Sequence, residues 1–236
     1  MKTLLTYVNE GILDKGNKNS VGTQLSKYCP KNKKALLELI DEEMRSKGWD
    51  CDLNHIVVSN VTDMSEVFYE SRFNGDISNW NVSNVTDMNC MFYESDFEGD
   101  ISNWNVSKVK DMSYMFKSSA FNGDISKWNV SKVMDMQEMF ANSYFDGDLS
   151  EWNVSKVTNM EKMFYGSEFN CDISKWDVRK VENMRYMFAH TPFEGDISNW
   201  KVTIKGFQQL WNMFQGTSVQ DKGQFPQWYL KIRDNM

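Results

Sequence analysis

A tryptophan recurs at Trp80, Trp104, Trp128, Trp152, Trp176 and Trp200, and every interval is 24 residues. A fixed period of this size marks a stack of small units, and it restricts the fold before any motif is read. One unit runs from Phe73 to Asp96, FNGDISNWNVSNVTDMNCMFYESD, and residues 49–216 are copies of it. Its apolar positions are Phe73, Ile77, Trp80, Val82, Val85, Met88, Met91 and Phe92. A unit this short cannot bury that many apolar side chains alone, so neighbouring copies must stack and share one core.

Spacing predicts two elements in each unit. Gly75-Asp76-Ile77-Ser78 reads as a strand of four residues at most. Val85, Met88, Met91 and Phe92 fall at i, i+3, i+6 and i+7, one stripe of a short helix. An Asp or Asn opens that stretch in every copy (Asp63, Asp87, Asp111, Asp135, Asn159, Asn183), the residue type of an N-cap. Asp63 with Glu66, and Asp135 with Glu138, read as capping boxes. Gly75 recurs as Gly99, Gly123, Gly147 and Gly195, but as Cys51 and Cys171 in two copies. Cysteine seldom takes positive φ, so that position calls for smallness at an inward place and not for left-handed backbone. The expected fold is an α/β repeat, a leucine-rich-repeat-like solenoid of about seven coils with a short strand and a short helix in each. Coils about 4.8 Å apart give a rod of roughly 35 Å.

The flanks divide the chain further. Residues 1–34 read as an N-terminal helix, over about 2–13, and a lysine-rich linker. Residues 35–48 read as a helical cap with Leu36, Leu37, Ile40 and Met44 on one side and Gly48 as its stop. Residues 49–216 form the repeat and residues 217–236 a C-terminal cap. The first coil has Ile56 in place of tryptophan. In the last, Trp200 to Met213 spans 13 residues where Trp80 to Met91 spans 11, an insertion around residues 204–207. No apolar run is long enough to span a membrane, and the opening residues lack the pattern of a signal peptide. The expected location is cytoplasmic or virion-associated.

Charge follows the same boundary: residues 1–47 carry nine Lys and Arg against six Asp and Glu, and residues 48–236 carry 17 against 27. An acidic repeat does not suit nucleic acid, which needs concentrated positive charge. Cys29, Cys51, Cys90 and Cys171 have no metal-ligand spacing, and His55 and His190 lie in different coils. Neither a cofactor nor a catalytic constellation is expected, and the chain reads as non-enzymatic.

The pattern FNGDISNWNVSNVTDMNCMF, with copies such as FNGDISKWNVSKVMDMQEMF, resembles the BspA-like leucine-rich-repeat surface-protein family over residues 49–216. The segment PKNKKALLELIDEEMRSKGWDCDLNHI is similar to the openings of Bacteroidetes members, and MKTLLTYVNEGIL to the starts of gut-phage proteins. The resemblance implies a solenoid used for adhesion or protein contact, without enzyme activity.

Two columns are candidates for a binding surface. Asp76, Asp100, Asp124, Asp148, Asp172 and Asp196 stack like charges, which need compensation from hydroxyls, backbone donors or lysines, and the repeat supplies too few fixed oxygen ligands for calcium. Lys108, Lys132, Lys156 and Lys180 form a shorter basic column. Residues 74, 79, 89, 90 and 93–96 vary between copies and are where specificity would reside. The expected function is protein–protein interaction with a partner of unknown identity; the alternative is a structural component of a phage virion or assembly, with the repeat as spacer or decoration.

Overall fold

Asp and Asn two residues ahead of Ser or Asn favour turns closed by their own side chains, and each unit contains three such sites. In the coil starting at Phe73, Asp76 Oδ1 accepts the Ser78 amide (2.9 Å), Asn81 Oδ1 that of Ser83 (3.2 Å) and Asp87 Oδ1 that of Asn89 (2.9 Å). Backbone turns follow directly: the amides of Trp80, Val85, Met91 and Tyr93 donate to the carbonyls of Ile77, Val82, Met88 and Cys90. The computed structural model, which describes residues 27–235, is therefore a stack of coils built from turns.

This corrects the expected strand-plus-helix unit. Among the described residues no strand forms; successive coils share only isolated parallel bridges, from Asp63 with Asp87 through Asn159 with Asn183. The stretch read as a helix contains left-handed residues, Cys90 at φ 54° and Glu94 at φ 48°, with equivalents in the other coils. A right-handed helix cannot accommodate them. Asp63 and Asp135 accordingly cap nothing: Asp63 Oδ1 accepts the Ser65 amide and Asp135 Oδ1 the Gln137 amide, each within a turn.

Geometry explains the choice. A helix is about 10–12 Å across, yet Phe92, Phe116 and Phe140 stack at 5.5 and 5.7 Å between ring centroids. A flat ribbon of turns fits that spacing. It also sends alternate amides along the stack: those of Met88, Cys90, Phe92 and Glu94 donate to Asp111, Ser113, Met115 and Lys117 in the next coil, at 2.9–3.0 Å.

The core is a set of columns. Phe73, Phe97, Phe121, Phe145, Phe169 and Phe193 are fully buried, as are the phenylalanine column of Phe92 and the methionine columns of Met88 and Met91. The tryptophans are only 3–4% exposed. Each indole N–H donates to a carbonyl in the coil before, for example Trp128 to Ile101 at 3.1 Å. Gly99 has ordinary negative φ, and a Cβ there would come within 2.7 Å of the Phe97 ring, so the position does require smallness. Burial of that column is uneven. Cys51 is buried but Cys171 is half-buried, its thiol donating to the Asp146 carbonyl at 2.9 Å. We therefore expect Cys51 to react more slowly with a water-soluble thiol reagent than Cys171 or Cys90, all three being slowed by burial that raises their pKa values. Faster labelling of Cys51 would contradict the packing.

Helix α1, Lys33–Lys47, closes the first coil. Asn32 caps it by accepting the Ala35 amide, and Gly48 at φ 91° ends it. Leu36, Leu39 and Ile40 pack on the core. Glu43 on the same side is buried beside Lys47 and 3.2 Å from His55 Nε2. Burial raises its pKa, but the Lys47 hydrogen bond and the His55 charge outweigh that and lower it overall. At the other end the inserted residues lead into a 3-10 turn, Phe207–Leu210, that delivers Leu210 to the core. Helices α2, Ser218–Asp221, and α3, Gln227–Arg233, follow. Trp228 stacks on Trp200 (6.3 Å) and donates to the Ile197 carbonyl at 2.9 Å, adding a rung to the indole ladder from outside the repeat. No helix among the described residues is long and apolar enough to cross a membrane. The helix expected over residues 2–13, and most of the linker up to residue 34, lie outside the described residues.

Candidate interaction surface

Left-handed residues at every fourth position of the ribbon turn their side chains away from the core, while the Met and Phe between them point inward. The outward columns begin at Ser65, Glu66, Tyr69 and Glu70, and they are chemically varied from coil to coil. Contacts link them across the stack. Tyr69 stacks on Tyr93 (4.8 Å), and Lys117 Nζ lies 5.5 Å from the ring centroids of both Tyr93 and Tyr114. Lys117 pairs with Glu138 (2.7 Å), Glu138 with Lys162 (3.4 Å), and Lys162 lies over Tyr186 at 6.0 Å. Tyr165 meets Tyr186 and His190 edge-on.

Glu138 is the centre of this network and only 8% exposed, held between two ammonium groups. Tyr69, Tyr93 and Tyr114 stay neutral well above physiological pH. A hydrogen bond to Glu70 pushes Tyr69 up to about 12, Glu94 does the same in direction for Tyr93, and burial raises Tyr114. Cation–aromatic contacts of this kind each contribute about 0.5–1 kcal/mol when exposed, more when desolvated. Charge changes along the face, from Glu66, Glu70 and Glu94 in the first two coils to a mixture of Glu161, Lys162 and Arg185 in the fifth and sixth.

The variable positions 89, 90, 93 and 94 share this face. Residues 74 and 79 do not: Asn74 Oδ1 accepts the Glu98 amide, and the Asn79 amide donates to Asn54 Oδ1. The sequence marks Glu138 only as half of a capping box and does not single out Lys117, Lys162 or Tyr186. Their signal was variability at fixed repeat positions, visible only in part because the contacts join different columns.

The aspartate column is elsewhere and already occupied. Asp76, Asp100, Asp124, Asp148, Asp172 and Asp196 each accept the amide of the serine two residues on, at 2.8–2.9 Å. For Asp100, Asp124, Asp172 and Asp196 these serine hydrogen bonds lower the pKa; for Asp76 they outweigh burial. Of the lysine column, Lys108 donates to Asn84 Oδ1 (2.7 Å), and Lys132, Lys156 and Lys180 are exposed. Among the described residues no three His, Cys, Asp or Glu side chains are grouped to hold a metal ion.

Like-charge repulsion is felt in a different ladder, where the bridge residue Asp87 sits between Asp63 and Asp111. Burial, with Asp111 and Asp63 above and below, raises the pKa of Asp87. A carboxyl with a raised folded-state pKa favours folding when protonated and opposes it once ionised, so its cost is present at neutral pH and relieved as pH falls through that value. Asp87→Asn keeps the turn acceptor and removes the charge, as Asn159 and Asn183 do naturally. It is expected to raise stability at pH 7 by about 0.2–1 kcal/mol, the scale of one like-charge cross-strand pair, and to flatten the gain seen on mild acidification. Lower stability at pH 7 in urea titrations would contradict this.

Sequence comparison places the chain. The family described as "Mycoplasma protein of unknown function, DUF285" matches in tandem, over residues 42–145 and 117–228. The chain belongs to this family. Searches of curated proteins and of solved structures return no match. The two overlapping matches cover the coils and part of each cap, which agrees with a tandem repeat protein.

Proposed function

We propose that the chain is a non-enzymatic binding module that recognises a protein partner through the outward columns of the turn ribbon. The observation that supports this is the Tyr69–Tyr93–Lys117–Glu138–Lys162–Tyr186 network, which crosses six coils at positions that differ between copies while the core columns beside them repeat. Tyrosines and paired charges pre-ordered on a rigid support are the residue types that anchor protein interfaces, because little side-chain freedom remains to be lost on binding. Repeat stacks use extended faces of this kind. An adhesive role of the BspA-like type belongs to the same reading. The exposed lysines Lys132, Lys156 and Lys180 are a second candidate edge for the same partner.

The test compares three forms of the full chain, wild type, Tyr93→Ala/Lys117→Ala/Lys162→Ala and Lys132→Glu/Lys156→Glu/Lys180→Glu, as baits against the proteins of the native host. A partner retained by wild type and lost from the first variant, under conditions where circular dichroism shows both folded, is the expected result. The urea midpoint of that variant is lowered because Glu138 loses both ammonium partners. Equal retention by all three would overturn it.

A further inference from the structure

The stack has a polarity that leaves one end chemically open. In every later coil, the carbonyls equivalent to those of Ser65, Val67 and Tyr69 accept amides from the coil before: Asn89 from Glu66, Met91 from Phe68 and Tyr93 from Glu70. Among the described residues no coil precedes the first, and Ser65, Val67 and Tyr69 receive no backbone donor. Helix α1 covers the core beside them, and its Lys33 Nζ reaches the start of this edge, donating to Ser65 Oγ at 2.6 Å, while the backbone carbonyls stay without a donor among the described residues. Between the two runs a groove of about 760 Å³, lined by Leu37, Met44, Trp49 and Tyr69 among others. Leu37, Trp49 and Tyr69 are 37%, 51% and 43% exposed, unusual for large apolar side chains here. The groove's carboxylates outnumber its one arginine, Arg72. Glu38 and Asp41 pair with Lys34 (3.9 Å) and Arg45 (2.7 Å) along the helix, whereas Glu66 and Glu70, flanking the open carbonyls, have no salt bridge among the described residues.

We propose that this groove is a peptide-docking site, taking a segment of another protein that lies along the first coil, donates the N–H of every second residue to the open carbonyls, and carries apolar side chains with lysine or arginine. The open edge supplies the donor requirement, as in recognition by added strands. The carboxylates supply the preference for positive charge. A second copy meeting this edge by twofold symmetry would set acceptors against acceptors. Head-to-tail stacking is obstructed at the far end, where Tyr229 of α3 packs on Phe214 and the Gly216 amide is taken by Gln220 Oε1 at 2.7 Å. Concentration-dependent self-association through the remaining Asn212 and Phe214 amides would overturn the proposal. The site shares Glu66, Tyr69 and Glu70 with the first coil of the variable face, and substitutions in distant coils separate its test from that of the proposed function.

The probe is an acetylated, amidated nonapeptide alternating lysine with valine, labelled and titrated into the full chain at low salt by fluorescence anisotropy. Two further peptides carry N-methyl groups on all the valines or on all the lysines. Saturable binding is expected, with at least tenfold loss for one methylated peptide and less than twofold for the other, because only alternate amides face the carbonyls. Glu66→Lys/Glu70→Lys should weaken binding at least tenfold, and Lys162→Ala/Tyr186→Ala, in the fifth and sixth coils, should leave it unchanged. Absence of saturable binding, or equal loss for both methylated peptides, would overturn the proposal. Binding that appears only after removal of residues 1–26 would also overturn it, naming the chain's own N-terminal segment as the occupant.

Discussion

Replacing Trp128 with alanine is expected to lower unfolding free energy by about 3–5 kcal/mol, the range for deleting a large buried aromatic. Trp128 is 3% exposed, in the middle coil, 6.4 Å from Phe116 between ring centroids. Neighbours on both sides are held by their own indole hydrogen bonds, so the coil cannot close over the cavity easily. Trp128→Phe separates two contributions. It keeps most of the apolar volume but removes the N–H that satisfies the Ile101 carbonyl, and is expected to cost about 1–3 kcal/mol. A loss below about 1 kcal/mol for alanine in urea titrations would mean that the ladder does not carry the core.

Phe116→Ala is expected to cost a similar amount, about 3–5 kcal/mol. Its ring is fully buried, sandwiched by Phe92 and Phe140 and stacked on Phe121 at 4.4 Å. Because Phe116 also touches Trp128, the double variant should not equal the sum of the singles. Sites in contact couple by about 0.5–3 kcal/mol, whereas Phe116→Ala with Trp176→Ala, three coils away, should add within about 0.5 kcal/mol. Coupling equal for both pairs would contradict nearest-neighbour stacking.

The 24-residue tryptophan interval was enough to read the stack and its columns, because only lateral packing of like on like keeps such a period. It was not enough to read the backbone. Met88, Met91 and Phe92 face inward at i, i+3 and i+4 in the turn ribbon just as they would in a helix, so hydrophobic spacing cannot separate the two. A different signal was present: Asn142, Gly166 and Gly216 occupy one column, and Asn and Gly are residues that tolerate left-handed backbone. Asp76-Ile77-Ser78 likewise alternates as a strand would, yet the aspartate carboxylate beside a serine amide closes a turn. The interaction face was legible as variability at positions 89, 90, 93 and 94. Its connections were not, since Lys117 and Glu138 belong to different columns and meet only once the coils are stacked.

The turn-built coil itself is tested at Ser118, which has φ 54° and whose counterparts include Gly166 and Gly216. Ser118→Ala and Ser118→Gly are compared by urea midpoint in the otherwise unchanged chain. Left-handed backbone costs a non-glycine residue about 1–2 kcal/mol, partly offset by the greater freedom of glycine when unfolded. The glycine variant is therefore expected to be the more stable of the two. In a helix the order reverses, with glycine about 1 kcal/mol worse than alanine, and alanine above glycine at this position would contradict the fold described.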